Sequence, residues 1–366
     1  MNHKSTLAAV FGGALLVGSL LAPTAQAATP LTPDGWAAAI IGPTGKTTGR
    51  QLVMVSPTGA QYTVRSVGAS WHVLQLSKDG RKVLLIGVTP DDQYRYAVVD
   101  RTRNTWTSVG VGPDQVAVDK LSSAAVIAWP EDGTVARRKV GTKVLTTYRL
   151  NTTGRLNTTG RLNTTGTWQQ SPDGWKVVAE TGKKFVVFNT TTGAKLRTLW
   201  LPSTNYSSCD MGHWDSNTTF TVTCFPKTLP GPTVVFRYST AGGSPVRLTN
   251  STLVKSASPK ILLDSWSTAK GQVVMGATGY TEDPGVFGRV ANWKVTWLAP
   301  ATKCAAPIDV VGTSLYQLTG PYCQGTSKAL SRHDLATAKT TVLAGGTRNP
   351  GQELDSFAIQ NAQEAW

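Results

Sequence analysis

Residues 171–199 read SPDGWKVVAETGKKFVVFNTTTGAKLRTL. The stretch opens on a polar turn, S-P-D-G, in which Ser and Asp side chains bond nearby amides and Gly takes a backbone closed to other residues. KVVAE follows, then FVVFNT, then KLRTL after a second Gly turn. Each run is short, rich in β-branched or aromatic residues and bounded by turn letters, which marks strands rather than helices.

The same phrase recurs along the chain. TPDGW at 32–36 and SKDGRK at 77–82 repeat the turn. KVLLIGV, AAVIAW, TFTVTC, QVVMGA and SLYQLTG repeat the first run, and YRYAVVD, TVARRKV, TVVFRYS and KALSRHD the second. Counted from Trp36, Val83, Ala124, Lys176, Phe220, Gln272 and Leu315, the unit returns every 41 to 52 residues, and the 52 that spans 149–166 falls to 40 once two six-residue copies there are discounted. This is close to the roughly 42-residue period of a four-stranded propeller blade. A sheet of that size buries its faces only by packing on copies of itself around an axis. The fold expected is therefore all-β, a seven-bladed β-propeller. Six or eight blades stay open, because the third and sixth units are irregular. ELDSFAIQ at 353–360 is similar to ILLDSWS at 261–267 and is expected to complete the first blade, sealing the ring; otherwise it is a free tail.

RLNTTG occurs three times over at 149–166. NTTTG at 189–193 ends a strand, so the tract reads as a turn enlarged by duplication into a surface loop, a change that loop-closure entropy tolerates. A binding element and an extra edge strand are the other two readings.

The N-terminus pairs Lys4 with an apolar run, LAAVFGGALLVGSLLA, and then Ala25-Gln26-Ala27. These are the n-region, h-region and cleavage site of a signal peptide over 1–27. The expected product is a bacterial, secreted, monomeric chain, 28–366, forming one propeller domain without a membrane span. Lys and Arg number 36 against 21 Asp and Glu, a net charge of +15, yet no run of four cations occurs. So diffuse a field suits anionic surroundings such as cell-wall polymer, or serves only to keep the surface solvated; it points to no specific nucleic acid.

Four cysteines in an exported chain suggest disulfides, and four allow three pairings. Residues equidistant from an antiparallel turn face one another. Cys209 and Cys224 straddle Asp215-Ser216-Asn217, and Cys304 and Cys323 straddle Gly312-Thr313-Ser314. The blade scheme therefore selects Cys209–Cys224 and Cys304–Cys323.

Residues 171–199, together with FRYSTAGGSPVRLTN at 236–250, resemble the repeats of TolB-type, WD-like propellers. The likeness runs over about residues 32–346. It implies a propeller used as a binding platform and, occasionally, as an enzyme. No catalytic position comes with it, because the repeat residues are structural.

His72, His213 and His333 fall in different units without metal spacing. GASWH at 68–72 lacks the second Gly of a nucleophile elbow. Asp119, Asp210, Asp264, Asp309 and Asp355 recur on the strands expected to be innermost. As a ring lining the channel they would hold a cation such as calcium or act as acid and base; otherwise each caps its own turn. No other cofactor is expected. Trp36, Trp175, Trp214 and Trp266 adjoin turns and are expected to wedge between blades. Trp106, Trp293 and Trp297 lie near strand ends, to pack inside or to offer stacking faces to sugars. The expected function is an exported, non-catalytic binding or scaffold module that recognises a cell-envelope polymer or protein through one propeller face. The alternative is an extracellular lyase or hydrolase acting on anionic carbohydrate through channel carboxylates.

Overall fold

A computed structural model describes residues 35–360, apart from 92, 112–114, 121–124, 130–133, 140–143, 150–167, 181–183, 229–230, 259, 278–284, 299–303 and 321–327. The segment 1–27 expected to be a signal peptide, all but the first residue of the RLNTTG tract, and Cys323 lie outside the described residues.

The described strands form seven four-stranded antiparallel sheets. Within each sheet, spatial order follows chain order, with one exception. The first sheet is led by the C-terminal strand Gln352–Ile359, which pairs with Ala37–Pro43 and is followed by Gln51–Val55 and Gln61–Ser66. Ala39 stands opposite Phe357, and Gln360 donates its amide to the Trp36 carbonyl at 2.6 Å. The two ends of the described chain thus share one sheet, as ELDSFAIQ led one to expect.

First strands of neighbouring sheets touch one another. Gln352–Ile359 meets Trp71–Leu76, which meets Gln115–Val118, and Tyr206–Trp214 meets Ile261–Thr268. The first strands are therefore the axial edge, and the architecture is a β-propeller. Antiparallel order puts the second-to-third turns and the sheet-to-sheet connections at one end of every sheet, here termed the connecting end. The first-to-second and third-to-fourth turns lie at the other, the turn end.

Aromatic wedges fill the space between sheets. Phe185 of the fourth sheet meets Phe220 and Tyr238 of the fifth at centroid distances of 5.8 and 5.5 Å. Tyr316 of the seventh sheet enters the core of the first and donates its hydroxyl to the Gly35 carbonyl at 2.8 Å. Burial of such rings is worth about 2–3 kcal/mol each. Trp36, Trp214 and Trp266 are buried as expected. Trp175 is not, at 55% exposed. It belongs to its turn rather than to a strand, and its amide is donated to Asp173 Oδ1.

The S-x-D-G turns are superimposable in their bonding. Ser77 donates to Asp79 and Ser171 to Asp173, each at 2.6 Å, while the Lys82 and Lys176 amides return to the serine oxygens. Gly80 and Gly174 take φ of 65° and 81°, where a side chain would be strained.

A seven-residue helix, Ser251–Ala257, was not anticipated from the sequence. Asn250 caps it through the Leu253 amide, and Leu253 and Ala257 fill the wedge between the fifth and sixth sheets.

Candidate functional site

The first strands do not pair evenly with the second. Register shifts fall at Asp355, at Leu74, at Gly212–His213, at Leu263 and at Ile308. A bulged residue leaves the ladder and its side chain is aimed afresh. Asp355 and His213 are such residues, and each reaches the next sheet.

Asp355 Oδ2 stands 2.8 Å from Nδ1 of His72, on the second sheet, and Oδ1 accepts Arg50 Nη1 at 2.6 Å. Arg50 also contacts Glu353 at 3.5 Å. Burial pushes the Asp355 carboxyl up, but His72 and Arg50 outweigh it and hold it below the ordinary carboxylate range. The His72 ring remains 46% exposed at the connecting end.

Beside it runs a ladder of alternating cations and indoles. Arg95 lies 4.6 Å over Trp71, Trp71 meets Trp106 edge-on at 4.8 Å, and Arg65 lies 5.1 Å over Trp106. Arg95 also donates to Ser70 Oγ at 2.7 Å. Gly87 makes room for this stack, since a Cβ there would come within 3.1 Å of Ser70, Trp71 and Arg95 atoms. Among the described residues neither Arg65 nor Arg95 meets a carboxylate, and the Nε of each is buried without a partner. Two guanidinium groups on aromatic faces, with no carboxylate partner among the described residues, make an anion-seeking surface.

The five aspartates expected along the channel part company. Asp119, buried, accepts Gln170 Nε2 of the fourth sheet at 2.9 Å. Asp264, buried, is met by His213 Nδ1 and Thr221 Oγ1, each at 2.9 Å. Asp309, buried, accepts its neighbour Val310's amide at 2.6 Å. Asp210 adjoins Glu180, a residue the sequence reading did not single out. Burial, then the Asp210 charge, pushes Glu180 up to about 8 against the pull of the Met211 amide; burial raises Asp210 too. No group of three or more metal-ligating side chains occurs among the described residues.

Cys209 and Cys224 face each other in register and form a disulfide. Cys304 pairs through its backbone with Gly320, three residues short of Cys323. No described helix is long and apolar enough to cross a membrane.

No family model matches the chain, and no curated sequence is similar to it. Solved structures are. The propeller domain of the Trilobed protease from Pyrococcus furiosus, described as having an open velcro topology, matches with a TM-score of 0.55 at 10% identity over 87% of this chain and 98% of that one. Oligogalacturonate lyase from Vibrio parahaemolyticus matches at 0.51 and 12% identity over 86% and 87%. TolB from Acinetobacter baumannii, the likeness the repeats suggested, is also similar, at 0.46 and 14% over 91% and 68%. At such identities the likeness is one of fold alone, and the fold is the β-propeller.

Proposed function

We propose that the seven sheets close as one ring of seven blades, and that the molecule is an exported binding module. It holds an anionic cell-envelope polymer along the ladder Arg95–Trp71–Trp106–Arg65, of which Arg95, Trp71 and Arg65 lie toward the connecting end. What carries this reading is the pair of arginines stacked on indoles without an acidic partner among the described residues, in a chain of net charge +15. Stacked guanidinium presents its N–H edge to carboxylate or phosphate while its face stays desolvated. Cys304–Cys323 is proposed as a second staple on the spacing argument alone.

A second reading, a lyase or hydrolase for anionic carbohydrate, has Glu180 and Asp210 in its favour. A carboxyl raised to about 8 stays protonated near neutrality and suits a general acid.

One experiment addresses both. Mature protein is mixed with cell-wall fractions across a salt series, and the supernatant is read for released sugar ends. Binding that falls steeply with salt, and that drops about tenfold or more in Arg65→Ala/Arg95→Ala, supports the first reading. Unchanged binding in that variant refutes it, and absence of released ends refutes the second.

A further inference from the structure

The third-to-fourth turn of the sixth sheet joins strands Val286–Ala291 and Lys294–Trp297 through Asn292 and Trp293. Both take left-handed backbone, with φ of 51° and 59°. These are the angles of a two-residue hairpin turn whose second position normally holds Gly. Asn tolerates that region, but a Trp there is a strained choice. The strain is not offset by burial. Trp293 is 49% exposed, and among the described residues its indole makes no hydrogen bond and no ring pairing. The backbone beneath it is braced instead. Ser256 Oγ, on the helix, accepts the Val295 amide at 3.1 Å, and its one proton is shared between the Leu253 carbonyl at 2.9 Å and, more distantly, the Trp293 carbonyl at 3.4 Å. A rigid scaffold thus displays a large flat ring to solvent at a conformational cost, which is the mark of a functional position.

The surroundings indicate what the ring meets. Ala291, Asn292, Lys294, Thr296 and, on the helix, Lys255 are exposed. Among the described residues the other exposed large apolar side chains lie outside the sixth sheet. A protein hot spot needs apolar neighbours to exclude water, and no other exposed large one joins Trp293 on this sheet among the described residues. A lone indole among hydroxyl, amide and ammonium groups matches a sugar ring instead. The apolar C–H face of a pyranose stacks on the indole, hydroxyls meet Asn292 and Thr296, and acidic substituents meet Lys294 and Lys255.

We infer that Trp293 is the platform of an acidic-polysaccharide site at the turn end of the sixth sheet, whereas Arg95, Trp71 and Arg65 of the arginine ladder lie toward the connecting end of other sheets. This site goes beyond the function proposed above and does not depend on it.

Trp293→Gly tests it, because Gly relieves the backbone while removing the ring. Binding to polygalacturonate and to purified peptidoglycan is measured by sedimentation, with dextran as the neutral polymer and phosphatidylglycerol vesicles as the lipid surface. The expected result is at least a fivefold loss of polygalacturonate or peptidoglycan affinity, with a melting temperature unchanged or higher. Trp293→Phe should keep part of the affinity. Four outcomes overturn the inference. They are a lower melting temperature in Trp293→Gly, unchanged affinity in that variant, no binding of either acidic glycan by the native chain, and Trp293-dependent binding confined to vesicles. Loss of binding in Arg65→Ala/Arg95→Ala but not in Trp293→Gly would sink this site and leave the connecting-end reading intact.

Discussion

His213 is buried between two carboxylates, Nδ1 at 2.9 Å from Asp264 and Nε2 at 3.1 Å from Asp215, with its ring stacked on Trp266 at 4.8 Å. Arg237 closes the other side of Asp215. Burial alone would lower the imidazole, but Asp264 and then Asp215 reverse that and raise it to about 10. Because the folded value lies above the unfolded one of about 6.5, the stabilisation is complete below pH ~6.5 and is lost as pH rises toward 10. His213→Gln should cost roughly 2–4 kcal/mol at pH 6, since it strands a buried Asp264 charge. It should also flatten the decline in stability between pH 6.5 and 10. Urea midpoints at pH 6, 8 and 10 check both; a native-like slope in the variant would refute the assignment. Sequence marked both residues but could not join them. His213 and Asp264 sit on different sheets, and a bulge that no letter announces turns one toward the other.

At the scale of the element, legibility followed local chemistry. The S-x-D-G turns, the strand runs after them and the register of Cys209 with Cys224 depend on residues close in sequence, so pattern sufficed. The helix Ser251–Ala257 was hidden because its cap, Asn250-Ser-Thr, reads equally as a turn, and only the wedge between two sheets gives its buried face a partner. Trp175 was misplaced for a related reason, since a turn residue and a strand residue look alike one letter apart. The disulfide tests whether the fifth sheet is held by its own core. Its two sulfurs belong to the cluster of Phe185, Phe220, Trp214 and Tyr238, and they close a 15-residue separation. Loop entropy assigns such a staple about 3 kcal/mol. Cys209→Ser/Cys224→Ser should therefore stay folded, with thermal melting lowered by several degrees. A melt indistinguishable from that of the native chain under oxidising conditions would mean that the core alone fixes this sheet.

At the scale of the molecule, the question is what keeps a ring of sheets from opening. Gln352–Ile359 places Leu354, Phe357, Ala358 and Ile359 in the cores of the first sheet and its neighbours. Its polar groups tie both flanks. Ser356 Oγ accepts the Val73 amide of the second sheet at 2.8 Å, Gln360 Nε2 donates to the Lys78 carbonyl at 2.8 Å, and Lys328 of the seventh sheet donates to the Asp355 carbonyl at 3.2 Å. Without this strand, Ala37–Pro43 would become an axial edge with unpaired amides, and the Ile40 and Ile41 side chains would lose their cover. Ending the chain at Pro350 removes three largely buried apolar side chains larger than Ala, together with a full ladder of hydrogen bonds. The loss is of order 5 kcal/mol or more, comparable with the whole stability of many domains. The truncated chain should melt far lower or fail to fold. Adding back a peptide of residues 351–366 should restore part of the transition, because the gap it fills is shaped by the sheets on either side. A truncated chain that melts like the full one would show that the ring closes without its last strand, and the cross-sheet contacts of Asp355 and His72 would then have no structural purpose.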